Sequence, residues 1–296
     1  MLEPVTAKNI PSANTASREF LTGMRQAKKP TGPLLALVIN LVFMGLAGSL
    51  PLLFGIGESN TGSFAGQLIM TSSFAIWIAG IFAWVVYKEK RSIKSLGFGG
   101  KSSTEILYGA LAGFALTTLV VFINVVSGTA TLGQFSVAAI IPVLILLIGF
   151  SIQASAEEIA YRGYLVQAFS QRFAIAVVVI LQAVLFTLGH LGNGLNWRGV
   201  LAMLAVSYLL IMWILARGNL WAAMAFHAAW NWSQANLWGA NVSNIKMDTH
   251  VFAFTPSSGS ELLSGGNFGL EGSLLTSALL IAGGVYFHLQ WRKARA

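Results

Sequence analysis

Apolar positions in this chain come in blocks of about 20 residues, the length that crosses a bilayer's hydrocarbon core as a helix. The blocks cover 34–56, 67–87, 106–126, 137 into the following glutamates, 173–190, 200–216, 220–238 and 273–291. They predict an all-α, polytopic membrane protein with about eight transmembrane helices, in a single domain over 34–296. Two polar stretches lie outside the blocks. Residues 1–33 are polar and basic with no apolar run near the start, which reads as a cytoplasmic polar tail and not as a cleavable signal peptide. Residues 239–272, rich in Gly, Ser and Asn over 257–269, predict an exposed outer loop.

Composition fits this reading. Charged residues make up 9% and hydrophobic residues 55%, against about 25% charged in a soluble domain. The net charge of +8 does not mark a nucleic-acid partner, because the cations sit beside apolar blocks and not along a solvated face. With the N-terminus inside, all of the 18 Lys and Arg residues except Arg198 and Lys246 fall on the cytoplasmic side. That bias predicts a multi-pass protein of the cell membrane with both termini cytoplasmic. No cysteine is present, which excludes disulfides, thiolate metal sites and cysteine nucleophiles.

Charge inside the blocks is where chemistry should be sought. Residues 137–156 carry no charged side chain, and then Glu157, Glu158 and Arg162 follow at once. A carboxylate at mid-bilayer costs on the order of 3 kcal/mol, so intramembrane ionisable groups face a bundle interior or a wet cavity. Glu158 and Arg162 are four apart and meet on one helix face, which predicts a structural ion pair. Glu157 is turned about 100° away along a helix and is left free to act as a base.

Two more polar pairs sit in later blocks, Phe186 with His190 and His227 with Asn231, each at a spacing of four. For these groups to meet Glu157, the fourth helix must continue to about residue 170. Glu157 then lies about 20 Å from that end at 1.5 Å per residue, beside a cavity expected to open to the cytoplasm. A glutamate and a histidine can together activate water, while a second histidine and an asparagine can donate to an oxyanion. The alternative is a zinc site built from His190, His227 and Glu157, although His-Glu-x-x-His is missing. There is no Gly-x-Ser-x-Gly, and Asp248 is the only aspartate, which argues against serine and aspartyl proteolysis. His250 and His288 read as uninvolved.

Glu-Glu-x-x-x-Arg, Phe-x-x-x-His and His-x-x-x-Asn, in successive helices, resemble the CPBP family of CAAX prenyl endopeptidases and bacteriocin-processing or immunity (Abi) proteins, regarded as intramembrane glutamic proteases. The resemblance covers residues 137–238. It implies an eight-helix core, no metal or other cofactor, and a membrane protein or peptide as substrate in the lipid bilayer. Carried over, it makes Glu157 the base with His190 as partner, His227 and Asn231 the oxyanion donors, and Glu158 with Arg162 the supporting pair. With no eukaryotic targeting signal, the chain reads as a bacterial inner-membrane protein, so the CAAX label is not taken literally. The competing readings are a non-catalytic immunity or scaffold protein and a proton-coupled carrier. A carrier would call for broken helices and internal repeats.

Overall fold

A computed structural model describes residues 15–293. The chain is a bundle of helices with almost no sheet. In order they are α1 (Thr15–Leu21), α2 (Pro33–Leu53), α3 (Phe64–Lys88), α4 (Ser102–Val126), α5 (Val137–Phe169), α6 (Ile175–Gly189), α7 (Trp197–Arg217), α8 (Trp221–Trp232, extended by a π turn at Ser233–Leu237) and α9 (Leu274–Lys293). A short antiparallel ribbon joins β1 (Ala130–Leu132) to β2 (Phe254–Pro256), with Thr131 opposite Thr255. The protein is therefore an all-α, multi-pass membrane protein.

Every predicted block corresponds to a helix, but among the described residues six, not eight, are long and apolar enough to cross a bilayer: α2, α3, α4, α5, α7 and α9. α6 has only 15 residues and α8 only 12 before its π turn. The apolar blocks at 173–190 and 220–238 run past the ends of these helices. α8 is enclosed by protein from Ala222 to Asn231, apart from half-buried Ala225, so it has no need to match the bilayer's thickness.

α5 explains why the glutamates tolerate their position. Its first half shows Ile141, Leu144 and Ile148 on the outside. From residue 156 to 170 every position is buried, so this half is ringed by other helices rather than lipid, as an all-round buried helix must be. The helix runs unbroken past the glutamates, widened into a π segment over Glu158–Leu165. Such segments recur at functional sites.

Small residues bring α8 close. A Cβ at Gly109 or Gly113 of α4 would run into the carbonyl oxygens of Ala222 and Phe226 on α8. That close approach, a small-xxx-small contact, seats the helix that carries His227 and Asn231.

Both polar stretches differ from expectation. Residues 1–14 of the tail, with Lys8, lie outside the described residues, as does Arg295. From Thr15 onward the tail is folded: α1 buries Phe20 and Leu21, Met24 follows them into the core, and Trp291 Nε1 donates to Ser17 Oγ at 3.2 Å. A three-residue apolar stripe in a basic context was too short to register as a span. Most of the 239–272 segment is a packed cap, and only 255–263 is largely exposed as an outer loop would be. The cap buries Val242, Met247, Val251, Phe254, Phe268 and Leu270. Asn236 Nδ2 ties it down by donating to Gln67 Oε1 and to the Thr249 carbonyl, both at 2.7 Å.

Candidate active site

Beneath the cap lies a cavity of about 360 Å3. Glu157, His190, His227 and Asn231 all line it, so the structure brings the sequence-derived residues into one chamber. Tyr161 is the last α5 residue on its wall, whereas Val242, Ser243, Ile245, Met247 and Glu271 of the cap contribute the opposite side. On α5 the chamber's lining stops at Tyr161, and the other side is contributed by the cap. Beyond Tyr161 the helix is buried in protein as far as residue 170.

The ion pair forms as its spacing requires. Arg162 Nη1 donates to Glu158 Oε1 at 2.9 Å, with both side chains fully buried. Arg162 Nη2 donates to Ser207 Oγ at 3.0 Å, and the guanidinium stacks over the Phe186 ring at 4.0 Å. Phe186 thus has a definite task, since its π face holds the buried cation. The same Glu158 oxygen accepts from His227 Nδ1 at 2.9 Å. Glu158 therefore orients a site histidine as well as neutralising an arginine, a second role the i, i+4 spacing did not reveal.

Glu157 is not free. Its Oε1 accepts from Gln153 Nε2 at 2.8 Å, and Gln153 Oε1 in turn accepts from Asn231 Nδ2 at 3.1 Å. Its Oε2 has no hydrogen-bond partner and lies 3.7 Å from His227 Nε2. The imidazole nearest Glu157 is thus His227, whereas the resemblance paired Glu157 with His190. His190 Nδ1 donates to the Phe186 carbonyl at 2.9 Å. In the neutral ring this leaves Nε2 as the lone-pair nitrogen. His227, with Glu158 at one nitrogen and Glu157 facing the other, is a donor at both. Glu157, Glu158, Arg162 and His227 then sum to zero charge, which is what a buried cluster needs. His288 Nδ1 bonds Tyr208 Oη at 2.9 Å, between α9 and α7, away from the chamber, and His250 is not part of its lining.

Sequence reasoning missed two residues. Gln153 was legible in principle, because it stands four before Glu157 and so shares its helix face. Glu271 carried no local signal. It lies in the cap just ahead of α9, is 7% exposed, and accepts at Oε2 from Ser243 N at 3.0 Å and Ser243 Oγ at 2.9 Å. Burial pushes its carboxyl up from the ordinary 4.5 to about 7, against the opposing pull of the Ser243 donors. The folded protein therefore holds this proton where the unfolded chain has released it. Stability from this group is full below about pH 4.5 and is lost as pH rises to about 7, by on the order of 3 kcal/mol. Glu271→Gln should flatten that slope. Thermal melts should show the parent losing more stability than the variant between about pH 5 and pH 8, and equal losses would contradict it.

No three His, Asp or Glu side chains among the described residues converge as a metal-ligand set. In particular His190, His227 and Glu157 do not form such a group.

Residues 138–233 match the family described as type II CAAX prenyl endopeptidase Rce1-like. The match begins with α5, ends at the π turn of α8, and contains all three motifs and both carboxylate–histidine contacts. It agrees with the resemblance carried by the motifs, and over those 96 residues, about a third of the chain, the sequence is similar to that family of membrane proteases. No curated protein and no solved structure matches the chain.

Proposed function

We propose that the protein is an intramembrane endopeptidase that hydrolyses peptide bonds of membrane proteins or peptides, with Glu157 as the base that activates water. The observation that carries this reading is Glu157 Oε2, a buried carboxylate oxygen without a donor, on the wall of a chamber shared with two histidines and an asparagine. Gln153 fixes the other oxygen and so aims the carboxylate. Water bound to Glu157 loses its proton as it attacks the scissile carbonyl. His190, with a lone pair at Nε2, assists at the water. The oxyanion receives hydrogen bonds from His227 and from the second N–H of Asn231, whose first is spent on Gln153. The proton on Glu157 then passes to the leaving amine. Glu158 and Arg162 hold His227 and the packing behind it. The positive-inside bias supports cytoplasmic termini, and a bacterial inner membrane is the proposed location.

The purified protein in proteoliposomes, given a library of bacterial membrane proteins, should generate new termini at discrete sites. A library returned intact would sink the reading in favour of a non-catalytic immunity or scaffold protein. Cleavage should survive exhaustive chelation, and the purified protein should hold far less than one metal per chain. Activity lost on chelation and restored by zinc would instead make His190, His227 and Glu157 a zinc site.

A further inference from the structure

Glu271 is the one carboxylate of the chamber that the proposed hydrolysis leaves unused. It sits across from the α5 residues, in the cap, and lines the same cavity as Glu157. The cap is shaped to hold it there. In the Val242–Ile245 turn, Ser243 and Asn244 both adopt positive φ, 48° and 67°, a conformation that non-glycine residues seldom take. The turn aims both donors of Ser243 at one oxygen of Glu271. It is pinned from its far side by Asn244 Nδ2, which donates to the Asn193 carbonyl at 3.0 Å.

A carboxylate kept in such a place ordinarily has a cation beside it. Here the cation that reaches it is His227, which is already held between Glu158 and Glu157. No lysine or arginine is among the residues lining the chamber. Arg162 is committed to Glu158, Ser207 and the Phe186 ring. The cluster of Glu157, Glu158, Arg162 and His227 is already neutral, so an ionised Glu271 is a surplus negative charge, and burial keeps its proton on up to about pH 7 unless a cation comes beside it. On the α5 side of the chamber, Glu157 Oε2 is a buried oxygen without a hydrogen-bond partner.

We infer that Glu271 forms a substrate subsite for a positively charged group of the bound peptide, a lysine or arginine side chain or a free amino terminus. The inference rests on the endopeptidase reading, and it gives that enzyme a preference for peptides with positive charge near the bond that is cut. Ser243 keeps one oxygen of the carboxylate and the peptide's cation takes the other.

Binding tests this without relying on cleavage. The full-length Glu157→Gln protein in lipid nanodiscs is equilibrated with a randomised peptide library. Its members carry lysine, arginine or norleucine at one position, with acetylated or free amino termini, and retained peptides are identified by mass spectrometry. The retained pool should be enriched in cationic members by about tenfold, the scale of one charge-assisted hydrogen bond. Enrichment in lysine and arginine members marks a side-chain subsite, and enrichment in free-amine members marks an amino-terminal one. Adding Glu271→Gln, whose carbonyl can still accept from Ser243, should abolish the enrichment. Adding Glu271→Asp, which keeps the charge, should retain most of it. Enrichment that persists with glutamine, is absent throughout, or is lost equally with aspartate would overturn the subsite. A parent protein that cleaves nothing but still selects cations would refute the hydrolase reading alone.

Discussion

Glu157→Gln should lower turnover by about 10²–10⁴-fold, the usual contribution of a general base, while the protein inserts and melts as the parent does. The geometry makes this substitution unusually clean. Glutamine keeps the length of the side chain, and its carbonyl can still accept from Gln153 Nε2, so the Asn231–Gln153–157 chain of hydrogen bonds survives. What is lost is the carboxylate oxygen that lies without a donor beside His227. The measurement is initial rate and thermal midpoint on the same preparation. Near-normal turnover would remove Glu157 from the mechanism and leave Glu271 as the remaining carboxylate of the chamber.

The largest effect on stability should come from Arg162→Ala. Arg162 is fully buried and bonded on three sides, to Glu158, to Ser207 and to the face of Phe186. Its removal leaves Glu158 with His227 alone and opens space beneath Phe186. Breaking one side of a buried pair costs roughly 3–5 kcal/mol. Glu158→Gln should cost less, because Arg162 keeps Ser207 and the aromatic face. Replacing both, as Glu158→Gln with Arg162→Met, should destabilise by clearly less than the sum of the two single changes, since the buried charge is then removed as a unit. Strict additivity in denaturation experiments would mean that the pair is not coupled. If Arg162→Ala and Glu158→Gln melt like the parent but are inactive, the pair acts in catalysis and not in support.

One physical rule makes the core of the site legible in the sequence: charge in an apolar run must have a use. That rule picked out Glu157, Glu158 and Arg162, and the i, i+4 spacing gave the ion pair. The demand that Glu157 reach the histidines required a fourth helix continuing to about 170, and α5 runs to Phe169. The rule is blind to anything that lies outside the runs. Glu271 is brought to the chamber by tertiary packing of the cap, and no periodicity marks it. The cap itself looked like loop because its buried residues, such as Val242, Met247 and Phe268, are scattered among Gly, Ser and Asn. α1 was missed for a similar reason, as its packing face is shorter than any span. Apolar runs alone do not say which helices cross the bilayer: α8 is apolar for contact with protein, whereas the similarly short α6 turns Ile180, Val184 and Leu188 outward. Spacing also could not say which histidine faces Glu157. Glu158 decides that by gripping Nδ1 of His227, a contact between helices that no single motif contains.

The central claim is that water activated by Glu157 attacks the peptide bond directly. A single turnover in heavy-oxygen water, with a substrate taken from the library screen and enzyme in excess, tests it most directly. One heavy oxygen should appear in the new carboxyl terminus of the product, and none in the α5 peptide that contains Glu157. Label found in Glu157 and not in the first-turnover product would show that the carboxylate attacked the substrate itself, and the water-activating account would be wrong.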